Sequence, residues 1–235
     1  MEFGYCAIGM NVIRRLALRF AIMAPLAAAL ILLPAGTPWF WPGWVFLGIF
    51  IGSSIAFTAY FFRHDPQLLE RRLQNSEPAK EQKLFRRIWI PLWIVGLTLP
   101  GFDYRFGWSR SIAGGAPSWL IVLADALVLC GFLVVFQVMR ANTFASSTIR
   151  VETGQKVVST GPYRIVRHPM YSGFLLLILA TPLALGSYVA LPVFALLLPV
   201  LVYRLINEEK TLRRELAGYA DYCQRTRFRL VPFVY

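Results

Sequence analysis

Long apolar stretches separated by short polar loops dominate the chain. A helix needs about 20 apolar residues to cross the hydrocarbon core of a membrane. Three stretches reach that length without help, and they cover residues 16–33, 39–62 and 117–139. A fourth stretch, 88–102, carries two prolines and is long enough only if the apolar residues 84 and 85 belong to it.

The last apolar region, 172–206, is too long for one crossing and fits two. Pro182, Gly186 and Ser187 interrupt it, so the pattern predicts two helices joined by a tight turn. Together the stretches predict an all-α polytopic membrane protein with about six transmembrane helices. The composition agrees, because 57% of the residues are hydrophobic and 15% are charged, far from the average of a soluble protein.

Basic residues alternate along the chain with the predicted helices. Of the 24 Lys and Arg residues, 22 lie near the N-terminus, in the loops 63–87 and 140–171, and in the tail from Arg204 onward. The intervening loops contain only Arg105 and Arg110. Cytoplasmic loops hold an excess of basic residues, so both termini and every charged segment are predicted to face the cytoplasm. A cleaved signal peptide over residues 14–36 is the alternative, although its apolar run is long and no small-residue cleavage site follows.

The net charge of +12 suits either nucleic acid or anionic lipid as a partner. The basic residues lie between apolar segments and form no nucleic-acid motif, so membrane lipids are the predicted partner and nucleic acid is not. The spacing of Cys6, Cys130 and Cys223 supports neither a disulfide framework nor a zinc site, and predicts reduced or buried thiols. Asp125 falls inside a predicted transmembrane helix and must face protein or water, as a structural or a functional group.

The stretch 157–171, VVSTGPYRIVRHPMY, concentrates two tyrosines, a histidine, two prolines and two arginines between apolar regions. Its Gly-Pro pair predicts a turn into a short helical element in which Arg164 and His168 share a face and which Pro169 ends or kinks. A helix start favours an anionic group and tyrosine rings can hold a cation, so a ligand site is predicted. A belt that binds lipid headgroups is the alternative.

A second polar group, Arg204, Glu208 and Glu209, lies at the predicted cytoplasmic end of the last crossing. Arg204 and Glu208 are four residues apart, so they share a helix face and can pair. An exposed salt bridge is the structural alternative, but two adjacent carboxylates at the membrane edge suit recognition of an ammonium or ribose group. The tail that follows alternates tyrosines and arginines, which predicts an amphipathic segment that lies on the membrane and closes over the site.

These motifs carry a family resemblance. Between residues 140 and 235 the chain contains, in order, TGPYRIVRHPMY, a broken apolar hairpin, RLINEEKTL, GYADY and VPF. This combination resembles the isoprenylcysteine carboxyl methyltransferase family and its bacterial and archaeal relatives, and residues 141–149 resemble the approach to their site loosely. The resemblance implies a membrane enzyme that encloses S-adenosyl-L-methionine at the cytoplasmic face. It divides the chain into N-terminal transmembrane helices over 1–139 and a cofactor-binding catalytic region over 140–235.

The resemblance also implies roles for individual residues. Arg204 matches the arginine associated with the methyl acceptor and is the predicted catalytic residue, and Glu208 matches the acidic residue that holds the cofactor. Gln155 stands where the eukaryotic enzymes carry His. The implied cofactor-binding residues are, besides Glu208, Gln155, Lys156, Val157, Val158, Tyr163, His168, Pro169, Met170 and Tyr171.

Three classes of function are compatible with these features. The first is methyl transfer to a lipophilic acceptor, above all carboxyl O-methylation of an isoprenylcysteine-like substrate, which needs no metal and which Arg204 favours because a cation can position an anionic acceptor. The second is N-methylation of a phospholipid or other amine, or a nicotinamide-dependent reductase of the sterol type. The third is non-enzymatic lipid binding. A Rossmann methyltransferase is not predicted, since no glycine-rich loop follows a strand.

Overall fold

The structure, a computed structural model, describes residues 2–73, 80–144 and 154–234. All regular secondary structure in these ranges is helical, which confirms the predicted all-α class. A short 3-10 turn covers Gly161–Arg164. The helices are α1 (Glu2–Leu32), α2 (Trp41–His64), α3 (Pro66–Leu73), α4 (Lys80–Phe106), α5 (Trp108–Ala113), α6 (Ser118–Ala141), α7 (Pro169–Ala184), α8 (Leu191–Ala195), α9 (Leu197–Glu215) and α10 (Tyr219–Arg225).

Within the described ranges, four helical segments are long and apolar enough to cross a membrane. They are Arg14–Leu32, Trp41–His64, Ser118–Ala141 and the α8–α9 pair over Leu191–Glu215. Helix α4 includes the predicted crossing 88–102 and runs for 27 residues, but charged residues at both of its ends make it less apolar. Helix α7 has 16 residues, fewer than a straight crossing needs. The six predicted helices therefore form, and four of them have the length and composition of a crossing.

Helices α6 and α7 pack together more extensively than any other described pair. A Cβ atom at Gly173 would lie 2.8 Å from Val135 and 3.0 Å from the carbonyl oxygen of Gly131, a separation that excludes a larger residue. Small residues allow helices in a membrane to approach in this way. After α7 the chain turns at Gly186, whose φ of 69° favours glycine. The predicted tight turn between the last two apolar helices is thus confirmed.

A buried polar network ties two loops together at the far end of α4 and α7. Asp103 accepts hydrogen bonds from the Ser109 N–H at 2.7 Å, from the Ser109 hydroxyl and from the Ser187 hydroxyl. Ser109 lies in α5, and Ser187 lies in the turn after α7. The loops 102–116 and 186–188, which the charge pattern predicts to share one side of the membrane, are therefore in direct contact.

Three individual expectations can be compared with the structure. Asp125 is 4% exposed and so faces protein, as predicted, although neither carboxylate oxygen has a hydrogen-bond partner among the described residues. Cys130 and Cys223 are free thiols. This agrees with the prediction of reduced or buried thiols, and Cys130, which is exposed, fits the first of these alternatives. The side chain of Cys6 and residues 145–149 of the segment 141–149 lie outside the described residues.

Candidate active site

One cavity of about 440 Å³ lies where the start of α7, the first half of α4, the second half of α9 and α10 meet. Pockets for small molecules commonly measure about 300–1,000 Å³, so its size suits a cofactor. Folding brings every predicted site residue to its wall. These eleven residues are Gln155, Lys156, Val157, Val158, Tyr163, His168, Pro169, Met170, Tyr171, Arg204 and Glu208.

The stretch 157–171 folds as a short turn followed by the start of a long helix. The 3-10 turn ends at Arg164, and His168 occupies the capping position before Pro169 begins α7. Arg164 is exposed whereas His168 is buried, so the predicted shared face of these two residues is wrong. The reason is that the element does not continue as one helix beyond Arg164. Pro169 follows the end of that element and occupies the first position of α7, so it begins the next helix and does not kink this element.

The C-terminal tail packs over this stretch. The backbone N–H groups of Arg167 and His168 donate to carbonyl oxygens of the tail at 2.9 and 3.0 Å. Tyr219 and Tyr222 of α10 are buried and add aromatic surface to the cavity wall. The Tyr222 hydroxyl also donates to the backbone carbonyl of Tyr163 at 2.7 Å. The tail therefore closes one side of the cavity, in agreement with the closure predicted from its tyrosines and arginines.

Tyr171 connects the two charged residues of α9 that line the cavity. Its hydroxyl donates to Glu208 Oε2 at 2.5 Å and accepts a hydrogen bond from Arg204 Nε at 3.1 Å. The guanidinium carbon of Arg204 lies 4.5 Å from the centre of the Phe85 ring, which is a favourable cation–π distance. The four-residue spacing thus places Arg204 and Glu208 on one face of α9, as predicted, and the Tyr171 hydroxyl bonds to both.

Glu209 lies behind the cavity wall in a cluster of basic side chains. Its carboxylate pairs with Arg167 at 2.7 Å, Arg213 at 2.9 Å and Arg229 at 2.8 Å. We refer to Glu209 and these three arginines as the arginine cluster. Successive residues of a helix point about 100° apart, and Glu209, unlike Glu208, is not among the residues that line the cavity. The prediction that both carboxylates suit a ligand is therefore wrong for Glu209.

Two ring side chains of the cavity are polar and uncharged at neutral pH. Burial lowers the pKa of His168 below its ordinary value of 6.5, and the Tyr219 hydroxyl lies 3.4 Å from its Nε2 atom. Burial likewise raises the pKa of Tyr163 to about 12, and its hydroxyl accepts a hydrogen bond from Asn142 at 3.0 Å. The side chains described contain no group of three or more His, Cys, Asp or Glu that could hold a metal ion.

The sequence analysis missed the contribution of the N-terminal helices to the cavity. Phe85, Trp89 and Trp93 of α4 line it, and so does Arg72 of α3. The three aromatic residues are spaced by four, a pattern that places them on one helix face and could have indicated an aromatic wall. Arg72 has a weaker signal, since in the sequence it is one of seven basic residues in the loop 63–87.

Comparisons with known proteins show which proteins this chain is similar to. Residues 119–217 match the family model of phospholipid methyltransferases. Protein-S-isoprenylcysteine O-methyltransferase B of Arabidopsis thaliana is 37% identical over 92 residues, which are 37% of this chain and 44% of that protein. Delta(14)-sterol reductase TM7SF2 of Mus musculus is 35% identical over 91 residues, 37% of this chain and 22% of that protein. The chain thus spans less than half the length of either relative.

The family match and the plant relative agree with the resemblance found in the sequence motifs. The matched residues include α6 except its first residue, the stretch 157–171, α7 and α9, which together supply most of the predicted site residues. The resemblance to membrane methyltransferases of the isoprenylcysteine type is therefore confirmed for the part of the chain that includes residues 119–217, which match the family model of phospholipid methyltransferases.

Proposed function

We propose that the protein is an integral membrane enzyme that transfers a methyl group from S-adenosyl-L-methionine to a lipophilic acceptor. Its preferred acceptor is the carboxylate of an isoprenylcysteine-like substrate. The observation that carries this proposal is the single cavity that combines all eleven predicted site residues with an aromatic wall. The match of residues 119–217 to the family model and the methyltransferase relative support the class of reaction.

The residues of the cavity fit the proposed donor. S-adenosyl-L-methionine supplies a reactive methyl group on a positively charged sulfur. Glu208 offers a carboxylate to a cationic or hydroxyl group of the donor, and the ring of Tyr163 offers a face that attracts a cation. Val157 and Val158 give an apolar surface in the same cavity. These residues hold the donor and limit the access of water.

Arg204 is the residue that we assign to the acceptor. A carboxylate is already deprotonated at neutral pH, so it needs a cation that orients it and does not need a base. The hydrogen bond to Tyr171 and the contact with the Phe85 ring restrict the Arg204 guanidinium. A fixed guanidinium can bind a carboxylate through two parallel hydrogen bonds, which orients the attacking oxygen.

The aromatic wall of α4 suits the apolar part of such an acceptor. Phe85, Trp89 and Trp93 present their rings to the cavity, and Phe174 and Leu201 extend this apolar surface. A lipid tail would enter between helices from the membrane, while the charged donor would enter from the aqueous side. The positive-inside pattern supports the cytoplasm as that side, with both termini facing it.

Two alternative functions each have one supporting observation. The description of the matched family supports a phospholipid amine as the acceptor, and the mouse relative supports a reductase of the sterol type. The position of Arg204 disfavours an amine acceptor, because a guanidinium repels an ammonium group beside it. A reductase would require binding of a nicotinamide cofactor in place of the methyl donor.

Binding of radiolabelled S-adenosyl-L-methionine to the purified protein in detergent is the first test. We expect saturable binding that unlabelled donor displaces and that reduced nicotinamide dinucleotide does not. The labelled donor is then incubated with the protein and a membrane lipid extract. Label that mild base releases as methanol indicates a methyl ester, whereas base-stable label indicates N-methylation. Absence of saturable donor binding would exclude both methyltransferase proposals.

A further inference from the structure

The N-terminal half of the chain supplies the cavity with a cation that lies outside the residues matched by the family model. Arg72 belongs to α3, an eight-residue helix that precedes the matched residues 119–217. Leu68, Leu69 and Leu73 of α3 are buried in a core cluster with residues of α2 and α6. The apolar side of α3 therefore packs against the bundle, and Arg72 lines the cavity.

Three contacts fix the position of α3. The Asp65 carboxylate accepts a hydrogen bond from the first turn of the helix at 3.0 Å. At the other end, Arg19 of α1 donates to the backbone carbonyl of Leu73 at 3.2 Å. Arg71 donates to a backbone carbonyl just after α6 at 2.9 Å. Because both ends of α3 are held, the helix presents Arg72 to the cavity in a defined position.

Arg72 contacts Met170, which directly precedes the hydrogen-bond partner of Glu208 in the sequence. Its Nη2 atom is 3.6 Å from Met170 Sδ, and the next residue, Tyr171, donates to Glu208. Burial raises the pKa of Tyr163, and the charge of Glu208 adds to this rise while the charge of Arg72 opposes it. The Glu208 carboxylate and the Arg72 guanidinium are therefore both close enough to the Tyr163 hydroxyl to affect its pKa.

The surroundings of Arg72 favour an anionic ligand. Burial lowers the pKa of its guanidinium below the ordinary value, which means that desolvation disfavours the charged form. An anion that enters the cavity beside this group would stabilise its charge. Arginine is well suited to a carboxylate, because its planar guanidinium can donate two parallel hydrogen bonds.

We propose that Arg72 binds the α-carboxylate of the amino-acid part of the methyl donor, while Glu208 binds the α-ammonium group. This inference rests on the proposed function. The amino-acid part carries both charges on one carbon atom, and the cavity offers a complementary charge to each. Arg204, fixed by Tyr171 and Phe85, is then left for the acceptor.

Decarboxylated S-adenosyl-L-methionine lacks this carboxylate and keeps the rest of the donor, so it provides the test. Calorimetric titration of the full-length protein in detergent measures the Kd of both compounds, and the ratio of the two values is the readout. We expect the wild-type protein to bind the intact donor about 10- to 100-fold more tightly. Arg72→Gln should remove this preference, and Arg72→Lys should retain part of it.

Arg63→Gln is the control, because it removes a charge from an exposed side chain near the end of α2 that is not part of the cavity lining. It should leave the ratio unchanged even if it weakens both affinities. An unaltered ratio in Arg72→Gln would overturn the inference and leave the methyltransferase function intact. A raised KM for a carboxylate acceptor in that case would assign Arg72 to the acceptor. A wild-type protein that binds neither compound would overturn the proposed function and this inference together.

Discussion

Glu208 and Glu209 are neighbours in α9, yet their carboxylates have different kinds of partner. Glu208 lines the cavity and accepts a hydrogen bond from the hydroxyl of Tyr171. Glu209 is 4% exposed and pairs with three guanidinium groups of the arginine cluster. Adjacent carboxylates at a membrane boundary can therefore separate into one that faces a ligand cavity and one that supports its wall.

The arginine cluster joins three parts of the chain. Arg167 precedes α7, Arg213 lies one turn after Glu209 in α9, and Arg229 belongs to the tail that covers the cavity. A single carboxylate therefore connects the stretch 157–171, the last long helix and the C-terminal tail. The cavity wall around Glu208 depends on this arrangement, since the same three parts supply most of its residues.

Loss of the Glu209 carboxylate should have the largest effect, and the effect should be on stability. Glu209→Gln leaves the buried Arg167 guanidinium without its anionic partner, which typically costs about 3–5 kcal/mol. Arg213 and Arg229 are 48% and 36% exposed, so water screens the loss of their pairs and adds little to this figure. Thermal unfolding in detergent, followed by tryptophan fluorescence, should show a clearly lower Tm.

Glu215→Gln is the control for this prediction. Glu215 pairs with Arg214 at the end of the same helix, and both side chains are well exposed. Exposed pairs contribute little to stability, so this variant should unfold near the wild-type temperature. If Glu209→Gln also unfolded there, the arginine cluster would not support the cavity wall.

Loss of the Glu208 carboxylate should change binding and leave stability nearly unaltered. Glu208→Gln keeps the size of the side chain and removes the charge that faces the proposed donor. Removal of one charge from a desolvated pair commonly weakens binding by about 2–5 kcal/mol. Calorimetric titration should therefore show affinity for S-adenosyl-L-methionine reduced by at least about 30-fold, with a Tm close to wild type. A variant that bound the donor normally would remove Glu208 from the proposed site.

The helices could be predicted where the length of an apolar run decides the structure. Each predicted crossing, from 16–33 to the pair within 172–206, corresponds to a helix or helices of the structure, although several ends differ by a few residues. Helices α3 and α10 could not be predicted in this way, because they are short and their stability comes from packing. Leu68 of α3 and Tyr222 of α10 are almost fully buried, and the sequence does not show what buries them.

The site could be predicted only where its residues belong to a motif. The segments around Tyr163, His168 and Glu208 share a recognisable order, and folding brings them to one cavity. Arg72 reaches the same cavity through the packing of distant helices, and no local pattern marks it. The spacing of Phe85 and the two tryptophans of α4 indicates an aromatic helix face, but it does not show which cavity that face lines. The division of the chain at residues 139 and 140 stays a prediction, and so does the cytoplasmic side of the site.

Loss of the Arg204 guanidinium should separate donor binding from turnover. Arg204→Ala removes the proposed ligand of the acceptor carboxylate, while Glu208 remains to hold the donor. We expect kcat to fall about 100-fold, the scale that loss of orientation can produce, with a donor Kd close to wild type. Steady-state kinetics and titration of the same preparation measure the two quantities. Equal losses of donor binding in Arg204→Ala and Glu208→Gln would contradict this division of roles.

The smallest expected effect concerns His168, which lies between the cavity and the arginine cluster. It lines the cavity, and its Nε2 atom is 3.9 Å from the Glu209 carboxylate. Burial lowers its pKa, and this outweighs the opposing charges of Glu208 and Glu209. The folded protein therefore binds the proton less readily than the unfolded chain, whose histidine titrates near 6.5.

The sign of the pH effect on stability follows from this difference. The contribution of neutral His168 is fully present above about pH 6.5 and is lost as the pH falls from there towards the lower pKa of the folded state. The slope for one proton cannot exceed about 1.4 kcal/mol per pH unit. We expect Tm to decline from about pH 7 to 5.5 in the wild-type protein and to decline less in His168→Gln. The control His64→Gln, at the other histidine of the chain and at an exposed position, should retain the wild-type slope. Equal slopes in all three proteins would mean that His168 is not held as a neutral group between the cavity and the arginine cluster.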